Sequence, residues 1–213
     1  MFLMTNVIVF FLFSIKLIIS NNYVTIPSRC EIINDEDVDF VIEYVDLPFY
    51  YTPVDKEWCR EKCKSLGFTY QEPIMNQKLT SNMFPVDVFF DNQGFFIVLS
   101  ELICRDIKIN HNIHRNIIEN LIKNENIKKF VNNDSWFENN ITSVNKNPYI
   151  EMVIFAAAYY LDVCIYVFKK EYDAWIYFRK GWPNYNEIDM KNEKCIYLYM
   201  DEDHTNFMTN NYF

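Results

Sequence analysis

Glycine is nearly absent from this chain: Gly67, Gly94 and Gly181 are the three in 213 residues. A loop that cradles phosphates or a dinucleotide needs several glycines within one turn, so none can be built here. Histidine is equally scarce, at three. Cys59 and Cys63 have no second pair at ligand spacing, which argues against a zinc site and leaves no metal or cofactor implied. Basic side chains are outnumbered, 20 Lys and Arg against 29 Asp and Glu, for a formal charge of −9. Nucleic-acid binding rests on cations that neutralise phosphates, and this balance argues against it. Beyond the first twenty residues no run is long and apolar enough to span a membrane. What is present is apolar and aromatic material, 50% and 18% of the chain. That suffices for a real core and excludes disorder as the dominant state.

Residues 1–20, MFLMTNVIVFFLFSIKLIIS, are apolar on every helical face up to the closing Ser20, broken only by Thr5, Asn6, Ser14 and Lys16. The uninterrupted run Val7–Phe13 has the length of a secretory-signal core. The expectation is a signal peptide cut near Ser20, which directs the rest to the endomembrane lumen or outside the cell. The alternative is a retained membrane anchor. No basic residue precedes the run and Lys16 interrupts its tail, both departures from the usual signal pattern.

Six cysteines, an even number, suit such a compartment. Cys59 and Cys63 fall in DKEWCREKCKSLG, which reads as a helix capped by Asp55 and ended at Gly67. At i,i+4 their Cβ atoms stand roughly 5–6 Å apart, beyond the ~3.5–4.5 Å that a bridge needs. The expected disulfide therefore joins Cys30 to one of them, while Cys104, Cys164 and Cys195, in apolar runs, read as buried free thiols. Two N-glycosylation sequons, at Asn133 and Asn140, flank Trp136.

Residues 21–54 are acidic and broken by Pro27, Pro48 and Pro53, with one strand expected at Val38–Val45. A helix over Asp55–Leu66 follows, then irregular chain over 68–85 and a short strand at Val86–Phe90. Helices are predicted over Phe95–Cys104, Asn112–Lys123 and Tyr149–Leu161 from their apolar spacing, with short pieces around Ile127–Val131 and Trp136–Phe137. Strands are predicted at Cys164–Phe168, Trp175–Phe178 and Cys195–Met200, with a turn over Lys169–Asp173 and a last short strand through Asn206–Met208. Helices first, then a helix leading into a small sheet, indicate an α/β or α+β fold.

Three segments, in this order and spacing, carry a resemblance. The first is Asp91-Asn92-Gln93-Gly94-Phe95-Phe96-Ile97-Val98-Leu99-Ser100. The second runs from Ile150-Glu151-Met152 through Ala156-Ala157 to Leu161-Asp162-Val163 and Cys164–Phe168. The third is Tyr197-Leu198-Tyr199-Met200 followed by Asp203-His204-Thr205-Asn206. Together they resemble the nucleophile helix, the Glu-bearing helix with its strand, and the histidine loop of the ovarian-tumour (OTU) family of papain-like cysteine deubiquitinases. His114-Arg115 also falls where that family often has His–Arg. The resemblance covers residues 85–213. It implies a papain-like fold with a small central sheet flanked by helices, and leaves residues 21–84 as an N-terminal extension of unknown role.

The resemblance also implies site residues. Gly94 occupies the nucleophile position, His204 the general base, Asn206 the residue that orients it, and Asp91 the acidic residue opening the motif. Such chemistry needs a thiolate at a helix N-terminus, where dipole and backbone donors favour negative charge, and a histidine beside it. Glycine offers no attacking atom, so no acyl-enzyme can form at Gly94. Asn92 departs as well, standing where the family has glycine. The expectation is a catalytically inactive homologue that binds ubiquitin, a ubiquitin-like protein or another protein partner. The alternatives are a hydrolase acting through a displaced cysteine, and a secreted domain that keeps the scaffold for stability or interaction alone. Cys104, ten residues along the helix from Gly94, stands about 15 Å away along its axis, too far to substitute.

Overall fold

The computed structural model describes residues 23–34, 38–46, 50–72, 94–141, 149–169, 174–181, 192–200 and 207–208. The chain opens with a hairpin, strand β1 (Tyr23–Ile32) against β2 (Val38–Asp46), antiparallel from Tyr23↔Asp46 to Ile32↔Val38. A bulge between Pro27 and Arg29 shifts the register. Pro27 lacks the N–H that an unbroken ladder would use, and a bulge is where a strand tolerates that loss. Ser28 Oγ donates to the Val41 carbonyl across the pair at 3.1 Å. The bulge turns β1 over: Val24 and Ile26 face one side of the sheet, Cys30 and Ile32 the other.

Helix α1 (Lys56–Ser65) begins as its sequence predicts. Asp55 Oδ1 accepts from the Trp58 N–H at 2.8 Å, and Gly67, at φ +82°, ends the element in the left-handed region. Then come α2 (Gly94–Cys104), a 3-10 turn (Ile107–Ile109), α3 (Asn110–Lys123), α4 (Glu125–Val131), α5 (Asp134–Asn140) and α6 (Ile150–Leu161). Strands β3 (Cys164–Lys169), β4 (Ala174–Phe178), β5 (Cys195–Met200) and β6 (Phe207–Met208) complete the described elements. The sheet is six-stranded and mixed, in the order β2-β1-β4-β3-β5-β6. β4 is antiparallel to β3 and parallel to β1; β5 is parallel to β3 and antiparallel to β6. The fold is thus mixed α/β.

Alternation along the strands gives the sheet two faces. Ile165, Val167, Ile176, Phe178, Ile196, Leu198 and Met200 join the helices in the main core. α2 and α6 are apolar around most of their circumference and lie buried there. Ala156, Ala157 and Ala158 let the α6 backbone approach the sheet closely. Cys164, Tyr166, Tyr177, Cys195 and Tyr197 face the other way, with Val24 and Ile26, in a second and more aromatic cluster.

The sequence-based expectation for residues 21–84 needs correction in one respect. It contained one strand there, and the structure has two. Pro27 made Tyr23–Ile32 read as broken, but the bulge accommodates it. The segment also packs against the rest of the chain. β1 pairs with β4 at Thr25↔Ile176, and Val54, Cys59 and Cys63 belong to the main core.

The expected disulfide also differs. Cys63 is bonded to Cys104, with Cα atoms 5.3 Å apart, and not to Cys30. α1 turns Cys63 toward the last residue of α2, so Cys104 is a bridge partner and not a free thiol. Cys30 lies on β1, where burial, Asp39 and Glu151 push its thiol up to about 12. The expected strand Val86–Phe90 and residues 1–22 lie outside the described residues. Among those described, no helix is long and apolar enough to cross a membrane.

Candidate functional site

The helix that the sequence resemblance aligns with a nucleophile helix is α2. It starts at Gly94, which is buried, and its first turn places Phe95 and Phe96 edge to face with ring centroids 5.4 Å apart. Phe96 meets the His114 ring of α3, also edge to face, at 4.4 Å. The desolvated side of that ring, then the neighbouring His111, holds the His114 pKa below its ordinary value. Ser100 is fully buried, and its hydroxyl donates back to the Phe96 carbonyl at 2.6 Å. That bond answers why a serine survives within so apolar a helix.

Against α2 lies β6, which pairs with the end of β5 through Tyr199↔Met208 and Met200↔Phe207. β5 and β6 flank the segment that carries His204 and Asn206. Asp91, Asn92, Gln93, His204 and Asn206 themselves lie outside the described residues. Of the sequence-predicted site, the structure therefore locates Gly94 at a helix start, together with the strands on either side of the histidine segment.

Glu151, from the second motif, stands in the first turn of α6 and accepts from Lys169 Nζ at the end of β3, at 2.6 Å. The two side chains are 16% and 5% exposed, so this is a buried ion pair linking helix to sheet. Its place, behind the sheet's helical face, makes it structural.

A polar cluster that the sequence reading missed occupies the sheet's other face. The Glu193 carboxylate accepts from Tyr177 OH at 2.6 Å, from the Cys164 thiol at 2.8 Å and from Arg179 at 3.3 Å. Cys164 lies in register with Cys195 on the neighbouring strand. Its hydrogen bond with Cys195, with burial next, pushes its thiol well above the ordinary range, and burial does the same for the Tyr177 hydroxyl. A strap at residues 50–54 closes over the start of β5: Cys195 N–H donates to the Thr52 carbonyl at 2.9 Å and Val54 N–H to the Cys195 carbonyl at 3.0 Å. Tyr197 OH accepts from the Thr52 N–H and donates to the Tyr50 carbonyl, each at 3.0 Å. Next to it, Tyr166 stacks on Tyr197, centroids 5.2 Å apart and planes 3° from parallel. Nothing in the sequence around Glu193 marks it. The only signal was two cysteines, each opening a strand.

Among the described residues no group of three or more His, Cys, Asp or Glu side chains is arranged to hold a metal ion. No family model matches this chain, and no curated protein matches it.

The two sequons differ in the folded chain. Asn133 is exposed and caps α5, its Oδ1 accepting from the Trp136 N–H at 2.8 Å. Asn140 is 4% exposed, and its Nδ2 donates to the Trp136 carbonyl at 3.0 Å. Of the two possible N-glycosylation sequons, the folded chain therefore exposes Asn133 and buries Asn140.

Proposed function

We propose that this chain is an OTU-like, papain-type domain without a nucleophile, which binds a ubiquitin-like protein instead of cleaving one. The observation that carries the reading is the adjacency of α2, beginning at Gly94, and β6, which follows the His204 segment. In a thiol protease of this type those two elements bring nucleophile and histidine together, and here the first of them opens on a residue with no side chain. The acidity of the chain, −9 overall, favours a basic protein surface as partner.

The thiol inventory supports binding over displaced-cysteine hydrolysis. Cys63 and Cys104 are bonded to each other. Burial raises Cys59 to about 11 and Cys30 to about 12. Cys164 and Cys195 face away from the helices, on the side of the sheet opposite α2. A nucleophilic thiol wants an electropositive, partly exposed setting, which none of the five outside Cys195 has, and Cys195 is 2% exposed at a strand start.

Two measurements test the proposal. Immobilised ubiquitin should retain the chain with a Kd in the micromolar range; no retention at high micromolar concentration overturns ubiquitin as the ligand. Gly94→Cys should gain covalent labelling by a ubiquitin C-terminal electrophile, and His204→Ala in that background should slow it at least tenfold. Labelling of the unsubstituted chain at a native cysteine would instead establish the displaced-thiol hydrolase.

A further inference from the structure

Between α4 and α5 the chain carries an asparagine whose two amide atoms have separate tasks. Asn133, in extended backbone at φ −150° and ψ 96°, gives its Oδ1 to the Trp136 N–H and so caps α5. Among the described residues its Nδ2 has no hydrogen-bond partner, and the side chain is exposed. Seven residues on, Asn140 has the opposite arrangement: its Nδ2 is committed to the Trp136 carbonyl and the residue is buried. Trp136, between them, is itself 5% exposed and packs on Tyr149 with centroids 5.7 Å apart.

We propose that Asn133 is the one N-glycosylated residue of this chain and that Asn140 is unmodified in the folded protein. The donor class is a lipid-linked oligosaccharide. Asn133 Nδ2 forms a bond to the sugar C1, the bond from C1 to the pyrophosphate oxygen breaks, the polyprenyl pyrophosphate leaves, and the Nδ2 proton passes to the transferase. The carbonyl oxygen takes no part in the new bond, so the cap on α5 survives the modification. A sugar on Asn140 would have to occupy the layer between α5 and the core, displacing the Trp136 contact. A chain modified there would be denied its native packing. The proposal rests on passage of the chain through a secretory lumen, as its apolar first twenty residues predict, and is independent of the reading of α2.

The full chain, expressed in a eukaryotic secretory cell, is digested with a peptide-N-glycosidase and its mobility and peptide masses compared. One glycan is expected, with the deamidation mark at Asn133. Asn133→Asp keeps a side-chain oxygen at the cap and should lose the glycan while folding normally. Ser135→Ala should lose it with Asn133 intact, and Thr142→Ala, which destroys the second sequon and leaves Asn140 in place, should change nothing. A glycan that persists in both Asn133→Asp and Ser135→Ala, a glycan removed by Thr142→Ala, or a chain with no glycan at all overturns the proposal.

Discussion

Lys169 brings its ammonium into the apolar layer between α6 and the sheet, where Glu151 meets it at 2.6 Å. The pair illustrates how one charge can be tolerated behind a strand whose neighbours at Ile165 and Val167 are fully buried. Taking two ions from water costs more than their attraction returns unless geometry is good, but removing one partner is costlier still. Glu151→Ala is therefore expected to lower unfolding stability by about 3 kcal/mol, read from the urea midpoint at constant slope. Replacing both residues together, as Glu151→Leu with Lys169→Met, should recover most of that loss. If the single and double variants fall equally, the two side chains are not coupled. Neither residue was marked for this role by sequence. The i,i+18 separation has no local pattern, and it takes the α6–β3 packing to reveal it.

At the scale of elements, the strongest tie outside the sheet is the Cys63–Cys104 bridge from α1 to the end of α2. It spans 41 positions, and in the chain-entropy account closing a loop of that size stabilises the fold by about 4 kcal/mol. A reducing agent should lower the urea midpoint of the native chain correspondingly and leave a Cys63→Ala, Cys104→Ala double variant where it was. An unchanged native midpoint would mean the bridge adds nothing. Most of these elements were legible because their signals are local. Asp55 and Gly67 frame α1, the spacing of Ile113, Ile117 and Leu121 defines α3, and the short apolar run Cys195–Met200 defines β5. β1 was not legible, because a proline inside a strand reads as a break until the partner strand and its bulge are known. The bridge was misread for a related reason: which of Cys59 and Cys63 faces a partner depends on how α1 rolls against α2, a tertiary fact. The start of α2 beside Gly94 was legible from the apolar spacing over Phe95–Cys104. The Glu193 cluster was not, since its members come from β3, β4 and the approach to β5 and meet only when the sheet forms.

Over the whole molecule, the sheet makes a single unit of segments that composition would divide. β1 stands between β2 and β4, so its loss would leave β4 with an unpaired edge. Val24 and Ile26 cover Tyr166, Tyr177 and Tyr197 on the face away from the helices, and the strap at 50–54 satisfies the backbone at the start of β5. On the opposite face Val54, Cys59 and Cys63 fill the main core beside α2. A chain cut down to residues 85–213 loses all of these at once. Hydrophobic surface that was buried would face water at roughly 25 cal/mol for each Å², against a total stability of only about 5–15 kcal/mol for a domain. Such a fragment should show no cooperative unfolding transition and should precipitate or bind a hydrophobic dye, while a chain of residues 21–213 unfolds in one sharp step. A cooperative transition in the fragment would show that the hairpin and α1 are accessories to a core that closes without them. Its absence would mean that any partner-binding surface at α2 exists only with the N-terminal third in place, so binding must be measured on the longer chain.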